Sequence, residues 1–191
     1  MKSDTKNKVL TIAQTGMLTA IGIVFMLLIR FSILPGAKFL EYDMGDIPAA
    51  LTALLFGPVH GLFSLCVIAL VQALTVSAAS SWQGFIMHFF ATGVYIIILY
   101  FFRKTKRKSS FIWGLAAATA AMTAIMIPLN LIFTPMYLHT TAKAVAELIL
   151  PAILPFNLIK GCINSLIIFL IFKPLTIVLA KSHLLPTNIK I

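Results

Sequence analysis

The sequence predicts an all-α integral membrane protein, a single domain over residues 1–191 with six transmembrane helices and both termini on the cytoplasmic side. Three observations carry that prediction. Hydrophobic residues make up 60% of the 191 and charged residues only 10%, and mean hydropathy is +1.03, far from the composition of an ordinary soluble domain. Three stretches carry no charge at all, Val9–Ile29, Ile47–Phe102 and Ser109–Ala142, and each is long enough for at least one span of about 20 apolar residues. Lysine and arginine then gather where a six-helix path returns to one side of the bilayer. At that length per span the chain supplies six spans with short connections and leaves no room for a soluble catalytic domain.

The first span is expected at about 9–30. It follows Met-Lys-Ser-Asp-Thr-Lys without a small-residue cleavage site, so it reads as a retained helix and not a removed signal. The connection 31–46 is unusually apolar, and Phe39, Leu40, Tyr42 and Met44 would be costly in water, so it is expected to fold back as a lid. Asp46, just before Ile47-Pro48, is expected to cap the second helix, with proline tolerated in the first turn. Gly57-Pro58 and the run Ser77-Ala78-Ala79-Ser80-Ser81 divide the middle block into spans at about 47–57, 61–76 and 82–102. The first of these is short and is expected either to sit at the edge of the bundle or to cross only with tilt or help from its neighbours. The connection 79–83 brings Trp82 to the same rim as the lid. A fifth span fits about 110–133, bent near Pro128, and a sixth about 156–180, starting after Pro151 and Pro155.

Orientation follows from the positive charges. Lys2, Lys6 and Lys8, the run Arg103, Lys104, Lys106, Arg107 and Lys108, and Lys173, Lys181 and Lys190 account for 11 of the 15 basic residues and fall on one side. That side is the cytoplasmic one. Glu41, Asp43, Asp46 and Glu147 fall on the other. The net charge of +10 is therefore a matter of topology and anionic lipid, and no nucleic-acid partner is expected. Cys66 and Cys162 lie inside predicted spans and are expected as buried apolar thiols, not as a disulfide. His60, His88, His139 and His183 lack metal-ligand spacing and read as packed or interfacial side chains, so no metal is expected. The chain also lacks a phosphate-cradling G-x-x-x-x-G-K, H-E-x-x-H, C-x-x-C and G-x-S-x-G. No catalytic residue and no energy source of its own is expected.

Polar residues at membrane depth are few and gather near one side. Asn157, Lys160 and Asn164 stand at i, i+3 and i+7, within about 60° of one another on one helix face, and Asn164 lies about 10 Å along the axis from Asn157. Asn130 sits at comparable depth on the fifth helix, beside Pro128. Such amides either hydrogen-bond helix to helix or line a pocket open to the outside, where their paired donors and acceptors suit a neutral heterocycle. Gly16 and Ala20 form a small-xxx-small pair on the first helix, and Ala116, Ala120 and Ala124 repeat the spacing on the fifth, so backbones can approach closely there. Spacing alone leaves open whether the partner is inside or outside the chain.

The small-xxx-small pair, the stretch Lys38-Phe39-Leu40-Glu41-Tyr42-Asp43-Met44-Gly45-Asp46-Ile47-Pro48-Ala49, then Phe56-Gly57-Pro58 and six helices in this order resemble the substrate-binding S components of energy-coupling factor (ECF) vitamin importers, and among them the riboflavin-specific members. The likeness implies a non-enzymatic receptor in the bacterial cell membrane that binds a vitamin at its outer half. It also implies partners, a transmembrane coupling (T) protein and two ATP-binding subunits. By that likeness Gly16 and Ala20 face the coupling protein, while Leu40, Glu41, Met44, Trp82, Asn130, Asn157, Lys160 and Asn164 are the candidate substrate contacts. The isoalloxazine rings of riboflavin would lie against Leu40 and Met44, the amides would meet its dione edge, and Lys160 or Glu41 its ribityl hydroxyls. The competing expectations are an S component for thiamine or biotin and, more distantly, a polytopic membrane enzyme.

Overall fold

A computed structural model describes residues 2–37, 39–105, 108–182 and 184–185. Lys38, Lys106, Arg107, His183 and Lys190, which entered the readings above, lie outside the described residues. The chain runs α1 (Lys2–Leu28), β1 (Arg30–Ser32), β2 (Glu41–Asp43), α2 (Asp46–Phe56), α3 (Pro58–Leu74), α4 (Ser81–Arg103), α5 (Lys108–Leu138), α6 (Ala142–Leu148), a π-helical turn (Ile149–Ile153) and α7 (Leu154–Lys181). Among the described residues, four stretches are long and apolar enough to cross a membrane: Thr5–Leu28, Ser81–Arg103, Ser109–Leu138 and Ala142–Lys181.

Each predicted helix is present, with three departures. First, the connection after α1 is a small antiparallel hairpin that pairs Arg30 with Asp43, Phe31 with Tyr42 and Ser32 with Glu41. The Phe31 and Tyr42 rings meet across it at 5.3 Å, a cross-strand aromatic contact of the kind that stabilises short strands. Second, α5 continues through both Pro128 and Pro135 to Leu138, since neighbouring helices can satisfy the groups a proline frees in an apolar bundle. Third, a further short helix, α6, precedes α7. Its start is fixed by Thr141, whose hydroxyl accepts from the Ala144 amide at 3.2 Å. Pro151, which lacks an amide proton, sits in the wider π-helical turn that joins α6 to α7.

The core is organised around α2. Ten of its residues, Asp46 through Leu55, are buried, and at 11 residues it spans only about 16 Å, well short of the hydrocarbon layer. Its neighbour α3 lies very close: a Cβ added at Gly61 would come within 2.3 Å of the Ala53 Cβ and 2.8 Å of its Cα. Gly61→Val is therefore expected to destabilise the fold by about 1–3 kcal/mol through overpacking, read as a lower midpoint of thermal unfolding in detergent. An unchanged midpoint would show that the two helices can move apart freely.

The outer surface is apolar. Ile12, Phe63, Phe90, Trp113, Ile132 and Leu166 are all exposed, a surface suited to lipid. Contrary to the expectation of two buried thiols, Cys66 is half-buried and Cys162 exposed on this surface, and both are free. The small-residue pairs also face outward. Gly16, Ala20, Ala116, Ala120 and Ala124 are exposed, and a Cβ at Gly16 would meet nothing within 4 Å. The opposite face of α1 makes the internal contacts, with the Thr19 hydroxyl donating to Ser64 at 2.9 Å.

Candidate functional site

At the end of the bundle where α1 enters the hairpin, α3 meets α4 and α5 gives way to α6 and α7, a cavity of about 400 Å³ opens. Small-molecule sites occupy roughly 300–1,000 Å³. The hairpin supplies one wall with Phe39, Leu40, Glu41 and Asp43. Met87, Met122, Met126 and Phe156 make a soft apolar wall that can mould to a ring system. Gln72, His88, Asn130, Asn157 and Lys160 bring polar groups to the same space. Arg103, at the far end of α4, marks the opposite end of the bundle.

Beneath the cavity a polar network joins the hairpin to four helices. Asp43 and Asp46 are only 1% and 2% exposed. The Asp46 Oδ1 accepts from His88 Nε2 and from the Thr92 hydroxyl at 3.2 Å. Its Oδ2 lies 3.0 Å from Lys160 Nζ and accepts from Asn164 Nδ2 at 3.4 Å. Lys160 also approaches Asp43 at 3.7 Å. Asp43 accepts from Gln72 Nε2 at 3.1 Å and from the Gly45 amide at 3.0 Å, while the Gln72 carbonyl oxygen meets His88 Nδ1. The Tyr42 hydroxyl donates to Asn164 Oδ1 at 3.0 Å. Burial pushes this phenol up to about 12, against the opposing pull of Lys160, so it stays a donor at neutral pH.

Asp46 thus overturns the capping expectation. Gly45 holds the N-cap position of α2 and no side chain caps it; the carboxylate turns inward, where Lys160, His88, Thr92 and Asn164 surround it. At the rim, Arg30 pairs with Glu41 and donates to the Val76 carbonyl and, at 3.4 Å, to the Ser77 hydroxyl. That set ties the hairpin to the connection between α3 and α4.

Residues 10–172 match the family described as ECF transporter, substrate-specific component. This chain belongs to that family. As an S component it is a membrane-embedded transporter subunit and not an enzyme. It is 32% identical over 175 residues to a protein of Bacillus subtilis named riboflavin transporter FmnP, covering 86% of this chain and 91% of that one. A Streptococcus thermophilus protein named riboflavin transporter RibU is 28% identical over 179 residues, covering 89% and 84%. A solved structure described as the S component of a bacterial ECF transporter superposes with a TM-score of 0.75 at 30% identity, covering 88% of this chain and 96% of that one.

The S-component cavity gathers five of the eight substrate contacts expected from sequence: Leu40, Glu41, Asn130, Asn157 and Lys160. Three lie elsewhere. Met44 is half-buried between two apolar clusters, because the turn after β2 directs it into the bundle. Trp82 is half-exposed and packs edge-on against Phe133. Asn164 is buried one layer deeper, in the network with Tyr42 and Asp46. Of the amides on the wall, Asn157 donates to the Ile153 carbonyl at 2.7 Å. Asn130 donates to Met126 at 2.8 Å and accepts from Thr134 at 2.8 Å. Each amide has further hydrogen-bonding capacity beyond those bonds.

Sequence reasoning missed Asp43, Gln72 and His88 as wall residues and Asp46 as the group that links them. A signal was present: Lys160 within a span needs a buried acid, and Asp43 and Asp46 flank the start of a fully apolar helix.

Proposed function

We propose that this S component binds riboflavin in the cavity beneath the hairpin, from the outer side of a bacterial cell membrane, and hands it on for ATP-driven import. In this reading the chain crosses the membrane six times with both termini inside. A transmembrane coupling protein and two ATP-binding subunits supply the work. The observation that carries the substrate assignment is the mixed lining of the cavity, in which Leu40, the three methionines and Phe156 offer apolar surface and Asn157, Asn130, Gln72 and Lys160 offer polar groups. In this reading the aromatic ring system lies against the apolar side chains, its dione edge toward the amides and its ribityl hydroxyls toward Lys160 and Glu41. Met87, Met122 and Met126 take the role expected of Met44. The names of the relatives point to the same vitamin.

The test is a fluorescence titration of the purified protein with riboflavin, thiamine and biotin. Riboflavin fluorescence is expected to quench to a one-to-one endpoint while the other two vitamins fail to compete. Competition by thiamine or biotin, or no quenching at all, would reject the assignment.

A further inference from the structure

The hydrogen-bond pattern around His88 fixes more than its place on the wall. Both ring nitrogens face oxygen: Nε2 meets Asp46 Oδ1, and Nδ1 meets the Gln72 side-chain carbonyl. A neutral imidazole carries one N–H and could serve only one of them as a donor. Rotating the Gln72 amide by half a turn would put an N–H₂ opposite Nδ1, but Gln72 Nε2 already donates to Asp43 Oδ2 at 3.1 Å. The rotated amide would set its carbonyl oxygen against that carboxylate, acceptor to acceptor. The orientation of an amide is assigned from its network, and here the network permits only the one that calls for a proton on each nitrogen of His88.

Charge leads to the same answer by an independent route. Asp46 accepts from four donors, His88, Thr92, Lys160 and Asn164, which is the full capacity of an ionised carboxylate. Asp43 accepts from Gln72 and the Gly45 amide and lies beside Lys160. The charged groups facing the network are Asp43 from the hairpin, Asp46 from α2, His88 from α4 and Lys160 from α7; Arg30 of β1 also acts on Asp43 but is paired with Glu41, so those two charges cancel. With a neutral imidazole, two buried carboxylates share one ammonium and leave an unbalanced negative charge in an apolar bundle. With an imidazolium the set sums to zero, the arrangement buried ions require.

We infer that His88 is a positioning residue with a proton on each ring nitrogen, whose two N–H groups lock Asp46 and Gln72 and so, through Gln72 and Asp43, anchor the hairpin over the cavity. This holds whatever vitamin the cavity takes. Its consequence is that Lys160 is not left to neutralise both acids, and its remaining N–H capacity faces the cavity.

The experiment is nitrogen NMR of the ligand-free full chain in nanodiscs near neutral pH, with ring-labelled histidine. Comparison with His88→Gln assigns the His88 signals. If that variant does not fold, replacing the other three of the four histidines in turn assigns His88 as the one left. Two proton-bearing ring nitrogens on His88 are expected; one nitrogen at the unprotonated position would overturn the inference. As a second readout, His88→Gln is expected to lower the thermal midpoint more than the double variant Asp43→Asn/His88→Gln, which restores neutrality. A double variant no more stable than the single one would contradict the charge balance. Neither readout depends on riboflavin, so a failed vitamin titration leaves this inference standing, and a failed NMR result leaves the vitamin assignment standing.

Discussion

Asp46→Asn is expected to cost this protein about 3–5 kcal/mol of folding stability and to weaken riboflavin binding at least a hundredfold. The substitution is nearly isosteric, and at an N-cap asparagine serves as well as aspartate. In the network it does not. Asp46 accepts from His88, Thr92, Lys160 and Asn164 at once, and an amide would offer N–H₂ where a carboxylate oxygen is needed. Lys160 would then keep only Asp43, at 3.7 Å, and removing one partner of a buried ion pair leaves the other charge uncompensated, which carries that penalty. Thermal unfolding in detergent and a riboflavin titration read the two effects. Parent-like values in both would return Asp46 to the role of a helix cap.

The second large effect concerns transport without binding. Gly16→Leu and Ala20→Leu are expected to reduce riboflavin uptake by cells at least tenfold while leaving riboflavin affinity and thermal midpoint within threefold and a few degrees of the parent. Both positions are exposed, and a side chain at Gly16 has open space, so the folded chain tolerates the added bulk. An external helix packing closely against the pair would not. The coupling protein is the proposed occupant. Uptake at the parent level in both variants would remove this face from the transport contact, and loss of affinity would tie the pair to the cavity instead.

What could be read from sequence, and what could not, follows from the range of the interactions involved. The helices announced themselves because lipid demands long runs free of lysine, arginine, aspartate and glutamate, and α4, with none of these between Ser81 and Phe102, could hardly be misread. The stripe Asn157, Lys160, Asn164 was legible because helical periodicity places those residues on one face regardless of tertiary structure, and all three are buried. The hairpin escaped because its strands have three residues each, too few for a period of two to register. Helix α6 escaped because Lys143 and Glu147 break the apolar pattern on which spans are read. The network escaped for a different reason. Asp46 meets His88 across 42 residues and Asn164 across 118, and the rotation of each helix about its axis, which decides such meetings, is set by packing. Met44 and Trp82 stand off the cavity for reasons equally invisible in the sequence: the turn after β2 directs Met44 into the bundle, and Trp82 packs against Phe133.

The claim on which the rest depends is that the vitamin sits between the hairpin and the polar wall. A solved structure of the protein with riboflavin tests it most directly. The account predicts the isoalloxazine rings against Leu40 and the wall of Met87, Met122 and Met126, with Asn157 and Lys160 in hydrogen-bond contact and the Asp46 network intact beneath. Riboflavin bound at any other surface, with this cavity closed by its own side chains, would contradict it.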